Sequence, residues 1–389
     1  MDMKEVVARL KTIRRKASPT LIMCYQIGIP TSHSAIGMEF HAVVVHKGFH
    51  GHLPIDFSRL PWLEILSIGL NHFKGLIPQT LSHCHHLQIL FAEKNEFYQS
   101  IPEHHSNHFD NLSKLEFLNI GQNHVHRNIP SELGSLTQVT LFSVEMNNLT
   151  GTLLESLHLP KDVGRFLPNL QFLAMSDNNF DGPFPPSFSN ATSPQIISTG
   201  RNKFSGPIPL ELAVALNNNA LEGPIPLSIY QLVHMYVFYI EHNMLIGSIS
   251  SSINNLTRQL LHWSPTFGSL KFFHDDQHGY CANKLSGELP TSLSKLQMLE
   301  YLNLSRNTFD GYISKQLDHM LNLDTIDVSH NKLSGEIPKS LEKLQHIQVI
   351  DLSFNQFEGE VPCGGKFANL SAESFLGTMH YVKLPNSMS

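Results

Sequence analysis

Asparagine recurs in one frame along most of this chain. The stretches "LNLSRNTFDGYIS" (302–314), "IDVSHNKLSGEIP" (326–338) and "IDLSFNQFEGEVP" (350–362) share one template at a spacing of 24 residues. With the Asn as position zero, the frame falls at Asn71, Asn95, Asn123, Asn147, Asn178, Asn202, Asn219, Asn243, Asn283, Asn307, Asn331 and Asn355. Lys47 occupies it in one earlier copy. Eight of the twelve intervals are 24 residues, Gly stands at +4 in 11 of 13 units, and Pro stands at +7 in 10 of 13. Gly and Pro therefore punctuate a repeat and do not signal disorder.

Each position has a physical task. In the unit of Asn331, Leu323, Ile326 and Val328 precede the Asn, and the last two alternate like a short strand with one face inward. Leu333, Ile337, Leu341 and Leu344 follow on a return path. Seven apolar side chains are too few to close a core, but stacked coils share a continuous one. The Asn sits where the chain bends after the strand, and its amide can satisfy backbone groups that the turn leaves unpaired. Gly at +4 permits a tight backbone path, and Pro at +7 fixes the chain where no strand donor is needed.

Composition sets limits around this repeat. A length of 389 residues suits an elongated array better than one compact core. The formal charge of −6 speaks against non-specific nucleic-acid binding. No run of 18 apolar residues is present, so no transmembrane helix is expected. Residues 1–38 read as a leader or degenerate N-terminal cap, 39–365 as an array of about 13 units, and 366–389 as a C-terminal cap remnant or tail. The array is irregular near 210–219 and 250–282: Asn202 to Asn219 is only 17 residues, and Asn243 to Asn283 is 40.

The segment "LDTIDVSHNKLSGEIPKSLEKL" (323–344) meets the pattern LxxLxLxxNxLxGxIPxxLxxL almost literally, and the chain resembles the plant-type leucine-rich-repeat proteins over roughly residues 40–365. "GRFLPNLQFLAMSDNNFDGPFPPSFSNAT" (164–192) and "FEGEVPCGGKFANLSAESFLG" (357–377) look like the ectodomains of plant receptor-like serine/threonine kinases that sense microbial patterns. The resemblance implies an α/β horseshoe-type solenoid with a parallel concave β-sheet and 3-10 or irregular convex segments. It also implies an extracellular or plasma-membrane setting, a peptide or protein ligand and a co-receptor ectodomain. Family caps usually carry paired cysteines, but Cys24, Cys84, Cys281 and Cys363 form no close pair. Cys84 falls on a return path, where a small buried residue is expected. No kinase signature is present: no Gly-rich loop with a strand Lys, no His-Arg-Asp, no Asp-Phe-Gly. The chain reads as an ectodomain without its kinase domain, or as a truncated receptor product. A secreted inhibitor of a foreign cell-wall-degrading enzyme is the alternative.

Catalysis is not expected, nor is a cofactor. Histidine is abundant at 24, clustered in "HCHH", "HHSNH" and "HVH", but these clusters lie on different coils and show no spaced metal signature. What remains is surface. Positions −7, −6, −4, −2 and −1 face outward from the strands. Candidate ligand contacts there are Phe91 and Glu93, Glu145, and the group Tyr236, Tyr239 and Glu241. Aromatics beside charges are frequent in recognition surfaces, although strand aromatics also simply shield a sheet. Six N-x-S/T sequons mark glycan acceptors at Asn111, Asn148, Asn190, Asn255, Asn303 and Asn369. Asn303 lies on the strand face, where a glycan obstructs ligand along the late coils.

Overall fold

The computed structural model describes residues 40–378, apart from 44, 46, 54, 102–110, 131, 132, 135, 154–168, 185–195, 209–213, 232–239, 241 and 257–282. The leader 1–38 and the tail from 379 lie outside the described residues. The chain divides into two compact units between Asn202 and Lys203, beside the shortest interval of the repeat.

In the first unit, the residues before each Asn form one parallel sheet. Its strands run in chain order: Phe40–Val43, Leu63–Ser67, Ile89–Phe91, Phe117–Asn119, Leu141–Ser143, Phe172–Ala174 and Ile196–Ser198. The register is that of the repeat, with Ser67 beside Phe91, Phe91 beside Asn119 and Asn119 beside Ser143. In the second unit Tyr301–Asn303, Thr325–Asp327 and Val349–Asp351 pair the same way. Alternation along each strand sends one side chain to the core and the next to the outer face.

A second set of parallel strands follows each Asn. His50–His52, His72–Gly75 and Glu96–Phe97 pair in the first unit, as do His126–Arg127 with Asn148–Thr152. In the second unit the set includes Lys203–Pro207, Ala220–Pro224, Met244–Gly247, Lys284–Glu288 and Thr308–Asp310. The sequence led us to expect only turns and irregular segments there. Glycine at +4 explains the difference. It sits inside, at the end of or directly after these strands with φ between 71° and 99°, a region that L side chains enter at a cost. In the unit of Asn123, Arg127 takes the glycine's place and its backbone, at φ 70°.

Proline at +7 then starts a 3-10 turn. Pro78, Pro290 and Pro338 precede Gln79–His83, Thr291–Lys295 and Lys339–Lys343, each with φ near −60°. Where Ser314 replaces the proline, its Oγ accepts from Gln316 N at 3.2 Å and caps the turn Lys315–His319. Each turn returns a leucine to the core: Leu81, Leu293, Leu317 and Leu341 are buried. In the unit of Asn331 all seven apolar positions, from Leu323 to Leu344, are buried. Cys84 is buried as well; its Sγ donates to Phe57 O at 3.8 Å, and burial pushes the thiol up to about 12.

The Asn side chains tie successive coils together. Asn331 Oδ1 accepts from Phe309 N at 3.0 Å, an amide two residues past the Asn of the previous coil. Its Nδ2 donates to Leu304 O, Val328 O and Ser329 O at 3.0 to 3.1 Å. The acceptor bond recurs at every Asn of the frame: Asn71 takes Phe49 N, Asn95 takes Phe73 N, Asn123 takes Phe97 N and Asn147 takes Val125 N. Asn178, Asn202, Asn219 and Asn243 take Leu149, Phe180, Phe204 and Leu221 N. Asn283, Asn307 and Asn355 take Leu245, Leu285 and Leu333 N. The end residue Lys47 serves as a donor, its N–H reaching Asn71 Oδ1 at 3.2 Å.

Candidate recognition face

The outer face of the first sheet carries three rows of side chains in the first unit. The row at −4 is made of Ser67, Phe91, Asn119, Ser143, Ala174 and Ser198. Phe91 does not stand out from this face as the sequence led us to expect. It is 6% exposed and meets the edge of the Phe117 ring, centroids 6.5 Å apart and planes at 76°.

The row at −2 alternates in size: Gly69, Glu93, Gly121, Glu145. Each glutamate folds over the glycine of the previous coil. A Cβ built on Gly69 would lie 2.5 Å from Glu93 Oε1, and one on Gly121 would lie 3.1 Å from Glu145 Cγ. The glycines thus make room for two acidic side chains to lie along the sheet. Burial and the neighbouring Asp177 raise the Glu145 carboxyl above its ordinary value, against a hydrogen bond from Gln122 and the charge of Lys94. Burial likewise raises Asp177, although Arg201 Nε approaches its Oδ1 at 2.8 Å.

The row at −1 has an unexpected backbone. Leu70, Lys94, Gln122, Met146, Asp177 and Arg201 all have φ between 53° and 58°. In the second unit Asn218, His242, Arg306, His330 and Phe354 repeat it, with φ from 52° to 55°. Left-handed geometry in a non-glycine residue costs roughly 1–2 kcal/mol. The inter-coil bonds of the adjacent Asn hold it in place. The sequence gives little sign of it, because the residues at −1 have nothing in common.

In the second unit the face carries Asn303, Asp327 and Asp351 at −4, each closing a turn onto a serine. Asn303 Oδ1 accepts from Ser305 N and Oγ at 2.9 and 2.7 Å, Asp327 Oδ1 from Ser329 N at 2.9 Å, and Asp351 Oδ1 from Ser353 N at 3.0 Å. Burial raises the Asp327 carboxyl; the Ser329 hydrogen bonds oppose this and the Asp351 charge adds to it. The His330 ring stacks on Phe354 at 4.2 Å and 13°, and burial, then Arg306, lowers the imidazole.

The other sequence candidates are divided. Glu93 and Glu145 lie in one row, two coils apart, while Tyr236, Tyr239 and Glu241 lie outside the described residues. Of the sequons, Asn111, Asn148, Asn255 and Asn369 are exposed, Asn148 on a strand of the second set. Asn303 is half-buried, and Asn190 lies outside the described residues. Among the described residues no group of three or more His, Cys, Asp and Glu is arranged to hold a metal ion, and no helix is long and apolar enough to cross a membrane.

The Leucine Rich Repeat family model matches residues 169–191 and 322–344. Receptor-like protein 39 of Arabidopsis thaliana is 31% identical over 160 residues, 41% of this chain and 17% of that protein. Receptor-like kinase TMK2, also of Arabidopsis thaliana, is 30% identical over 220 residues, 54% of this chain and 24% of that protein. The chain thus spans about a fifth of the length of these relatives. A plant peptide hormone receptor, RGFR1, solved in complex with RGF2, matches 89% of this chain and 56% of its own at a TM-score of 0.69 and 25% identity. In repeat, fold and relatives alike, the chain resembles the plant-type leucine-rich-repeat ectodomains of receptor-like proteins and receptor-like kinases.

Proposed function

We propose that the chain is the ligand-sensing part of a plant receptor-like protein or kinase, and that it binds a peptide or protein on the outer face of the first sheet. The reading rests on one observation above all. The rows at −2 and −1 hold Glu93, Lys94, Gln122, Glu145, Asp177 and Arg201 in fixed geometry on a rigid sheet. Preorganised polar side chains reduce the ordering cost that a ligand must overcome. The named neighbour RGFR1 was solved with RGF2, which supports a peptide as the ligand class. A co-receptor ectodomain and a position at the cell surface belong to the same proposal.

The test is a screen of the purified chain against a synthetic peptide library. Peptides that bind are then measured against Glu145→Lys, Arg201→Glu, and Tyr236→Ala combined with Tyr239→Ala. Charge reversal should cost tenfold or more in affinity, since truncating one hot spot costs about 2 kcal/mol or more. Peptides that bind every variant equally, with folding intact, would remove the first sheet as the recognition face.

A further inference from the structure

Beside the shortest interval of the repeat, the flank built by the second set of strands is open. From Asn202 to Asn219 the chain has 17 residues, where 24 are usual. In the later coils of this unit the glycine at +4 lies under a side chain of the coil before. A Cβ built on Gly311 would lie 2.8 Å from Glu288 Cγ, and one on Gly359 would lie 3.1 Å from Glu336 Cγ. A Cβ on Gly223 would meet nothing within 4 Å. The cleft at this point has a volume of about 450 Å³ and is lined by Pro207, Glu222, Gly223, Met244, Ile246 and Lys284. Met244 and Ile246 are 40% and 49% exposed, two large apolar side chains on the same face of one strand.

The charges around this apolar centre follow a fixed order. Glu222 pairs with Met244 on one side of the strand Met244–Gly247, and Ile246 pairs with Lys284 on the other. Farther out stand Lys203, at the start of Lys203–Pro207, and the pair Glu288 and Asp310 on the opposite side. Lys203, Glu222, Lys284, Glu288 and Asp310 are all exposed. Across the five strands the signs run plus, minus, apolar, plus, minus. The order is the same from either end with the signs exchanged, so the face is complementary to itself. Like charges directly opposite one another on a sheet repel, so Glu288 and Asp310 favour a cation set between them.

We propose that this flank is a self-association surface whose partner is a second copy of this chain. A twofold axis lying in the face, between Met244 and Ile246, turns one copy over onto the other. Glu222 then meets the partner's Lys284, Lys203 meets the partner's Glu288 and Asp310, and the apolar residues close on their own counterparts. The contact is isologous, so each ion pair forms twice. A foreign partner would demand no such exchange of signs about one point. The six sequons of the chain all fall outside these five strands, so the strands themselves carry no glycan acceptor. Five strands about 4.8 Å apart, with five residues rising about 3.3 Å each, give a face of roughly 19 by 16 Å. That is small for a protein interface, so the dimer forms and parts readily. The inference does not rest on the peptide face proposed above.

Sedimentation velocity of the purified chain, from low micromolar to the highest soluble concentration, reads the association in low and in high salt. The chain should pass from monomer to dimer, and salt should weaken the dimer. E222K and K284E should each weaken it about tenfold or more, because each sets like charges against one another across the axis. An equal mixture of E222K and K284E should restore the dimer, since the altered residues then face opposite charges. The double variant E222K/K284E should dimerise as the unaltered chain does, and M244S/I246S should stay monomeric. Circular dichroism and thermal unfolding establish that the variants are folded. If M244S/I246S does not fold, the mixture of charge variants decides alone. A chain that stays monomeric throughout overturns the proposal, as does a dimer that both single reversals leave intact. So does a mixture that associates no better than its components, or assembly that continues past the dimer.

Discussion

Replacing Asn331 by Ala isolates what one rung of the asparagine ladder contributes. Its Nδ2 donates to three carbonyls, but each keeps another partner: Asn307 reaches Leu304 O at 3.1 Å, Asn355 reaches Val328 O at 2.9 Å, and Arg306 N reaches Ser329 O at 2.9 Å. The exposed loss falls on the acceptor side. Phe309, fully buried, is left with its N–H facing the space that Oδ1 occupied. One buried donor without a partner costs about 1–3 kcal/mol. For a unit of this size, about 2 kcal/mol lowers the thermal midpoint by roughly 4–8 °C. Asn331→Asp is the informative companion. It keeps an acceptor for Phe309 N but turns a carboxylate toward three carbonyl oxygens. It should cost more than the alanine at pH 7 and recover as the pH falls and the acid takes up its proton. Thermal unfolding of the three proteins at pH 7 and pH 4 provides the assay. An unchanged midpoint for Asn331→Ala, or an aspartate milder than the alanine at pH 7, would refute this account of the ladder.

Three further outcomes follow from the same geometry. Arg127→Gly relieves a left-handed arginine at φ 70° and should stabilise the protein by about 1 kcal/mol, while Gly335→Ala at φ 76° should destabilise it by about 1–2 kcal/mol, both read from urea midpoints. Glu145 and Asp177 have carboxyls raised in the fold, so the native state binds more protons than the unfolded chain and their contribution weakens as pH rises out of the ordinary carboxylate range. Glu145→Gln should therefore raise the thermal midpoint at pH 7 and flatten its dependence on pH; a lowered midpoint would contradict the sign. Cys363 is exposed and should react with iodoacetamide in the folded protein, whereas Cys84, buried with its thiol raised to about 12, should react only after unfolding; mass spectrometry of the labelled peptides distinguishes them.

The stacking, the core positions and the Asn frame were legible in the sequence because a fixed period repeats them. Leu323, Ile326, Val328 and the four apolar residues after Asn331 could be named from spacing alone. The second set of strands was not, because these strands are short and carry Gly and Pro where strand formers are expected, as in Lys203–Pro207. Its pairing depends on the coil below and not on local propensity. The left-handed residues at −1 were equally hidden. Leu70, Lys94, Arg306 and Phe354 share no chemistry, and only the inter-coil bonds of the next residue impose the shared backbone. Phe91 was placed correctly on a strand, yet it lies buried against Phe117 on the adjacent strand, a consequence of packing between coils that a single repeat does not contain.

The most direct test of the central claim is hydrogen–deuterium exchange of the chain with and without a library-selected peptide. The account predicts new protection at the rows flanking Asn123, Asn147 and Asn178, including Gln122, Glu145 and Asp177, with no change in the 3-10 turns Thr291–Lys295 and Lys339–Lys343. Protection confined to those turns, with the first-sheet rows unchanged, would contradict it.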